Sequence, residues 1–429
     1  PELSRGLGDV YKRQRLTYEL KPDTSFNENL DEFFSSTLKQ KEQSLTESDK
    51  NKIIKLADDL KTRQEAEDDA SLLPKVTIDD IPLKREYAQS NAIVGNRSIY
   101  EVGTNGLIYS DFLFPCSNLS DEELLFSSLY TFIITEVGFQ EKSYEEIQAH
   151  QSKISGGISA AIKLQTKESF EPGTLFLSIS SKCLEENFTN MEDLITNTIQ
   201  SVRFDEEQRI LDLLNIFVAR NDESLNQNGH YLAMNSAASP LNPLATTSFH
   251  LSGLQMIHRS KELISKIQMD GDASYVINIL KNIHSKVSNN PYKIFTACSK
   301  DALDNQLKEL EVSPSRNEQQ LINATQSQIA WITGSQVCYC AQAFMGVSRE
   351  HPDSAALSVL ATVLRNGFLH TAIREKGGAY GAGASNDTAT NTFKLFSYRD
   401  PKCKETFQAF EDAITWAQTS INEQHLEEA

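Results

Sequence analysis

The stretch LRNGFLHTAIREKGGAYGAGASNDTATNTFKLFSYRDP, residues 364–401, constrains this chain more than any other. Leu364, Phe368, Leu369 and Ile373 fall at helical spacing and make one apolar stripe. Gly377-Gly378 then ends the helix, because glycine accepts the left-handed cap geometry that a Cβ resists. Residues Ala379 to Ala384 are small and glycine-rich. Phe393 to Tyr398 reads as a strand, with Phe393 and Leu395 on one face and Phe396 and Tyr398 on the other. Arg374 in the last helical turn and Tyr380 just past the glycines flank the break. An arginine is a permanent fork of donors, and a tyrosine is a donor on a stiff ring. With Gly377 and Gly378 between them, a peptide backbone can come close and have its carbonyls gripped by both, an oxyanion-type arrangement. Two plainer roles stay open: Arg374 also suits the helix dipole, and Tyr380 would also serve as core. A phosphate-binding loop fits less well. Gly378, Gly381 and Gly383 follow a helix instead of opening one, and no Gly-Lys-Ser/Thr comes after them.

At 429 residues the chain has room for two domains and an appendage. Its 59 acidic against 41 basic residues leave a net charge of −18, which argues against nucleic acid and for basic or neutral partners. Plain solubility explains the same number. Six cysteines, Cys116, Cys183, Cys298, Cys338, Cys340 and Cys403, are scattered without metal-type spacing, which suits a reducing compartment. Cys338 and Cys340 alternate in an apparent strand, so both should point to one face. No run approaches a membrane span, and no membrane partner is expected. The chain begins at Pro1 and ends at Glu428-Ala429 within what reads as a helix, so we expect a piece of a longer polypeptide. No targeting segment can be read.

In order, residues 1–26 form a polar tail with one strand-like piece, Arg15 to Leu20. Residues 27–75 read as a helical hairpin, either a linker or a coiled-coil dimer arm. Leu30, Phe33, Phe34 and Leu38 line its first helix, Ser44-Leu-Thr-Glu47 is a capping box, and Ile53, Leu56 and Leu60 line the second until Leu72-Leu73-Pro74. Residues 76–290 read as an αβ domain: strands around Thr104-Asn105-Gly106, a helix from Asp121 to Thr135, and a shorter one opened by Ser143. A strand pair follows, then helices at Leu184–Val202, Asp205–Ala219, Glu223–Ala238, Leu251–Ile267 and Ala273–Val287, with Pro240 and Pro243 as breaks. A second copy begins at Tyr292–Cys298, passes through a polar link and a strand at Ile329–Val347, and ends in the opening stretch. Residues 291–429 are thus a further αβ domain, truncated at its C-terminus. The fold class is α+β: two related open αβ sandwich units preceded by the helical hairpin.

REKGGAYG, with a strand ending in SYRDP after it, resembles the last domain of presequence protease-like enzymes of the pitrilysin/insulinase superfamily, which are zinc metallopeptidases. QSLTESDKNKIIKLADDLK resembles their connecting hairpin, PKVTIDDIP the exit from it, and NGHYLAMNSAASPLNP a block of their third domain. The resemblance implies that Arg374 and Tyr380 bind the substrate peptide opposite the zinc. It also implies hydrolysis of short, unfolded peptides in a closed chamber, with zinc held by an N-terminal half as partner.

The superfamily's zinc motif is His-x-x-Glu-His on a helix, which sets two imidazoles one turn apart beside a glutamate base. His425-Leu-Glu-Glu428-Ala429 comes nearest, with Ala429 where the second ligand must stand. His250 and His258 stand eight apart and His258 precedes Glu262 by one turn, without a third ligand, and His150 and His230 read as single. No metal ligand is therefore assigned in this chain, and alone it is expected to be inactive. Two rivals remain: a non-catalytic core subunit of the same fold, and a free-standing peptide-binding module.

Overall fold

The computed structural model describes residues 25–65, 78–82, 87–116, 118–165, 174–300, 328–427 and 429, and the chain divides between Glu86 and Tyr87 into two units. In the first, α1 (Phe26–Ser44) and α2 (Glu47–Glu65) are the two expected helices. The cap lies two residues later than the sequence suggests. Ser44 is the last residue of α1, and Thr46 caps α2 through Asp49, whose amide bonds the Thr46 Oγ1 at 3.2 Å. The apolar stripes stay exposed, Phe33, Phe34, Leu38, Ile53, Leu56 and Leu60 all among them. Ile78–Asp80 is a 3₁₀ turn where a strand-like exit was expected. The Arg15–Leu20 strand, the Leu72-Leu73-Pro74 stop and the polar link 312–326 lie outside the described residues.

The second unit opens with β1 (Ala92–Val94), β2 (Arg97–Glu101) and β3 (Leu107–Pro115). In β3, Ile108, Phe112 and Phe114 are buried while Tyr109 and Asp111 face the other way, the period of two that a half-covered sheet requires. Helix α3 (Asp121–Ile134) begins at a capping box in which the Ser120 amide donates to Glu123 Oε2 at 2.6 Å. It is apolar nearly all round: Leu124, Leu125, Phe126, Leu129, Ile133 and Ile134 are buried, each contributing about 1.5–3 kcal/mol. Ser143 likewise caps α4 (Tyr144–Ile154). The strand pair is β4 (Ile158–Gln165) and β5 (Thr174–Leu184).

Helices α5 (Phe188–Gln200), α6 (Glu207–Ala238), α7 (Pro243–Ser252), α8 (Leu254–Asp270) and α9 (Ser274–Ser288) follow. The two helices expected at 205–238 both lie within α6, which kinks between them at Asn228, later than the break expected after Ala219. Pro243 opens α7 instead of only breaking the chain, since its missing N–H costs nothing at the first turn and Asn242 Oδ1 caps the Ala245 amide at 3.0 Å.

Strand β6 (Lys293–Cys298) is a correction to the sequence reading. It was expected to begin the second copy, yet it inserts into the first sheet, parallel to β2 and antiparallel to β3. Ile294 and Cys298 are apolar on the face that Ile108 and Phe112 bury, and they complete that core. Among the described residues the sheet order is β1-β2-β6-β3-β5-β4.

The remaining sheet has β9 (Thr392–Tyr398) between β7 (Ala341–Met345) and β8 (Gly381–Asp387). The strand expected over Ile329–Val347 shrinks to β7. Ile332 before it is fully exposed, and Cys338 makes only an isolated bridge to Asp400. Without a regular pleat there, Cys338 is exposed while Cys340 is buried, so they do not share a face. On one side Phe393 and Leu395 pack with Leu364, Leu369, Ile373 and Phe410, from α10 (Ser354–Leu364), its continuation Arg365–Glu375, and α11 (Lys404–Ser420). On the other side lies α6. Against expectation, the 22-residue helix Ser354–Glu375 is long and apolar enough by composition to cross a membrane; here its Leu364, Leu369 and Ile373 fill this core. A short helix, α12 (Glu423–Glu427), ends the described chain. The architecture is α+β, as the order of elements implies.

Candidate substrate-binding site

The site is built at the end of the Ser354–Glu375 helix. From Arg365 onward the turns widen to π type, and the Lys376 amide reaches back five residues to the Thr371 carbonyl at 3.0 Å. A wider turn brings Leu364, Leu369 and Ile373 onto one buried face. Gly378 has φ +86°, the left-handed cap the sequence anticipates, and its amide donates to the Arg374 carbonyl at 2.9 Å. The Ala379 amide takes the Ile373 carbonyl at 3.1 Å. A Cβ on Gly377 would lie 2.3 Å from that same carbonyl, so the chain can fold back this tightly only with glycine.

Tyr380 follows at once, pinned by its backbone: its amide donates to the Tyr398 carbonyl at 3.1 Å. Its side chain is 66% exposed, which removes the core role that the sequence left open. Among the described residues its hydroxyl has no hydrogen-bond partner, unlike that of Tyr130, which meets His284 Nδ1 at 3.1 Å. Arg374 is exposed, with its guanidinium carbon 5.9 Å from the Tyr380 ring centroid. Since the Ile373 and Arg374 carbonyls already accept backbone amides, the guanidinium is not needed to satisfy them. The structure therefore brings Arg374, Gly377, Gly378 and Tyr380 together at one surface.

Further residues join them that sequence reasoning missed. Tyr398 meets Tyr380 edge to face at 5.6 Å, and Tyr339 lies 5.8 Å from Tyr398. His230 of α6 lies 4.9 Å from Tyr398 and 5.5 Å from Phe396, and burial holds its imidazole below the usual histidine range. Tyr339 donates to the Asn226 carbonyl at 2.7 Å, and its ring crosses α6 at Gly229, where a Cβ would stand only 2.5 Å away. The NGHYLAMNSAASPLNP and SYRDP blocks each carried one partner of the His230–Tyr398 contact, but nothing local to either names the other. Opposite Tyr398 and Phe396 across the ladder stand Gly381 and Gly383, so no side chain from β8 covers those rings.

Among the described residues no group of three or more His, Cys, Asp or Glu side chains is placed to hold a metal ion. His258 pairs with Glu262 at 3.1 Å, but Glu262 is also held by Arg259 at 2.7 Å. His425 packs on Trp416 at 5.0 Å, and its Nδ1 accepts the Asn422 amide at 3.3 Å. The described residues do not make a zinc site.

Comparison with known proteins bears on what this surface serves. Residues 20–263 match the family model for the associated domain of M16 peptidases of subgroup C, and residues 276–429 match Peptidase M16 inactive domain. The mitochondrial presequence protease of Drosophila melanogaster is 29% identical over 95% of this chain and 40% of its own length. Those of Yarrowia lipolytica and Mus musculus are each 27% identical, over 93% and 97% of this chain and 42% and 44% of their own lengths. The chain thus spans less than half the length of these relatives. Among solved structures, a conserved protein from Enterococcus faecalis aligns with TM-score 0.54 at 12% identity, covering 79% of this chain and 82% of its own. A peptidase M16 inactive domain from Pseudomonas fluorescens aligns at 0.50 and 15%, covering 79% and 80%. These two share the fold.

Proposed function

The chain belongs to the peptidase M16 family, and from that premise we propose that it is the C-terminal half of a metalloendopeptidase that cleaves short, unfolded peptides in a closed chamber. Tyr380 donates its O–H to the substrate carbonyl oxygen as negative charge develops there. Arg374 holds the peptide backbone with its fork of donors, and Gly377 and Gly378 let that backbone come close. The observation that carries this reading is Tyr380 itself: a backbone fixed at 3.1 Å to Tyr398 and a ring 66% exposed with its hydroxyl free among the described residues. A donor that is rigid and uncommitted costs little reorganisation when charge appears beside it.

Zinc, in this reading, belongs to an N-terminal half of the same polypeptide, which is also this chain's partner. The family resemblance supports that, together with the lack of a fitting ligand set among the described residues. The net charge of −18 supports a preference for basic peptides. A mitochondrial location is supported by the names of the relatives and by six cysteines that are all free thiols. A non-catalytic subunit of the same fold is the second reading, favoured by the description of the 276–429 match as an inactive domain.

Zinc content and peptidase activity of the complete open reading frame test the proposal. We expect one zinc and peptide cleavage from the complete protein, and neither from this chain alone. A complete protein without zinc or cleavage selects the second reading, and one tight zinc on this chain alone overturns the division of labour.

A further inference from the structure

We propose that Arg399 is a second substrate-binding arginine, which takes a carboxylate of the bound peptide. The inference rests on the substrate role of Arg374 and Tyr380 and starts from the backbone. Arg399 has φ +48°, in the left-handed region. The other non-glycine residues there, among the described ones, are Asn105, Asn118, Gln140 and Asn391, short or amide side chains. Such a conformation costs an ordinary L-residue roughly 1–2 kcal/mol and persists only where the surroundings enforce it.

Those surroundings are visible. Ser397, two residues before Arg399, and Asp400, the next residue after it, are both buried. The Asp400 amide donates to the Cys338 carbonyl at 2.9 Å and the Cys338 amide returns to the Asp400 carbonyl at 2.8 Å. Asp400 Oδ1 accepts the Lys402 amide at 2.9 Å, and Oδ2 accepts the Thr406 hydroxyl at 2.7 Å. The Ser397 amide likewise donates to the Cys340 carbonyl at 2.9 Å, and of the two residues between these locked positions Tyr398 is half-buried and Arg399 is turned outward. An asparagine or glycine would hold this turn at less cost, so the guanidinium calls for a role of its own.

Its position gives one. The Arg399 guanidinium carbon lies 5.4 Å from the Tyr398 ring centroid, Tyr398 meets Tyr380 at 5.6 Å, and Arg374 lies 5.9 Å from Tyr380. The result is an Arg–Tyr–Tyr–Arg row in which Arg374, Tyr380 and Arg399 are exposed and Tyr398 is half-buried. Among the described residues neither guanidinium has a carboxylate partner. Both oxygens of Asp400 are occupied, and Glu375 pairs with His370 at 3.4 Å. In a chain with 59 acidic and 41 basic residues, two arginines at one place with no acid on them among the described residues mark a site prepared for an outside anion. Arginine matches a carboxylate in two parallel hydrogen bonds.

The row also sets the spacing. The three steps cap the distance between the guanidiniums at about 17 Å, which an extended chain covers in roughly five residues. A peptide held by its backbone at Arg374 and Tyr380 therefore reaches Arg399 with its C-terminal carboxylate or with an Asp or Glu side chain a few residues away. This local preference is compatible with long-range attraction of basic peptides, since every unblocked peptide ends in a carboxylate.

The test measures binding of a fluorescent peptide by anisotropy in the full-length protein with a metal chelator present to stop cleavage, as the free acid, the C-terminal amide, and the amide carrying one added Asp. Arg399→Asn is the variant, because asparagine tolerates the left-handed turn and spares the fold. We expect the amide to bind the unsubstituted protein about tenfold more weakly than the free acid, and Arg399→Asn to erase that difference. Recovery of affinity by the Asp-bearing amide identifies a side-chain carboxylate as the second source. Equal binding of all three peptides by the unsubstituted protein overturns the proposal, as does an equal loss for all three in Arg399→Asn. Cleavage by Tyr380→Phe, measured in parallel, separates this failure from failure of the underlying reading: unimpaired cleavage by that variant overturns the role of Tyr380, whereas impaired cleavage beside equal binding of the three peptides overturns that of Arg399 alone.

Discussion

Tyr380 and Tyr398 are joined twice: the Tyr380 amide donates to the Tyr398 carbonyl at 3.1 Å, and their rings meet edge to face at 5.6 Å. The backbone bond fixes where Tyr380 leaves the chain, and the ring contact fixes where it aims. Tyr398 is in turn bordered by His230 and Tyr339, so the direction of Tyr380 depends on α6 as well as on its own sheet.

Gly229→Ala should therefore disturb the site from behind. The new methyl meets the Tyr339 ring at 2.5 Å and displaces the hydroxyl from the Asn226 carbonyl. Overpacking of this kind costs about 1–3 kcal/mol. Thermal unfolding checks it: Gly229→Ala should lower Tm alone but have little further effect when Tyr339→Ala has already made room. Equal losses in both backgrounds would place the cause elsewhere.

The Lys394–Asp387 pair, at 2.6 Å with Lys394 buried, should be strongly coupled to stability. Burial raises the Asp387 pKa, but Lys394 and the Thr390 hydrogen bonds outweigh it and hold the carboxyl below its ordinary 3.8. That contribution is fully present above about pH 3.8 and is lost as pH falls through the lower folded value. Lys394→Met should cost about 3 kcal/mol, since it leaves an unpaired carboxylate mostly out of water. Urea titration at pH 7 gives the number, and a loss below about 1 kcal/mol would mean that water already supports Asp387.

The buried His250 and the half-buried His230 and His284 imply the same direction of pH. Burial holds His230, His250 and His284 below the ordinary 6.5. The unfolded chain takes protons first, so stability is greatest above about pH 6.5 and declines as pH falls through 6.5 toward the folded values. The urea midpoint should be lower at pH 5.5 than at pH 7.5, and His284→Gln should shrink the gap. An unchanged gap excludes His284 from the effect.

How much of this was readable beforehand follows from range. The Gly377-Gly378 cap, the faces of Phe393 to Tyr398 and the helix starts at Asp121 and Ser143 are local, and periodicity or one turn's chemistry specifies each of them, though the same chemistry misplaced the cap at Ser44 by two residues. The resemblance named the family, and Arg374 and Tyr380 came with it. The placement of β6 was not readable, because an alternating strand such as Lys293–Cys298 fits either sheet until its partners are known. Nor was the role of Arg399: left-handed geometry at an arginine has no sequence signal, and the acids that fail to reach it are scattered along the chain.

Charge offers a test of a different kind. If the −18 net charge steers substrates, cleavage of basic peptides by the full-length enzyme should be faster than that of acidic ones at low ionic strength, and the advantage should fade as salt shortens the Debye length toward about 8 Å. Equal rates at low salt would show the charge to serve solubility alone.

The central claim is that Tyr380 stabilises the developing oxyanion, and steady-state kinetics of Tyr380→Phe in the full-length enzyme address it most directly. With the fold verified by circular dichroism, kcat should fall by about 10²–10³ with little change in KM, because the lost donor acts mainly in the transition state. Arg374→Ala should raise KM as well, since a grip on the backbone also holds the ground state. A folded Tyr380→Phe enzyme within about twofold of the unsubstituted one would contradict the account.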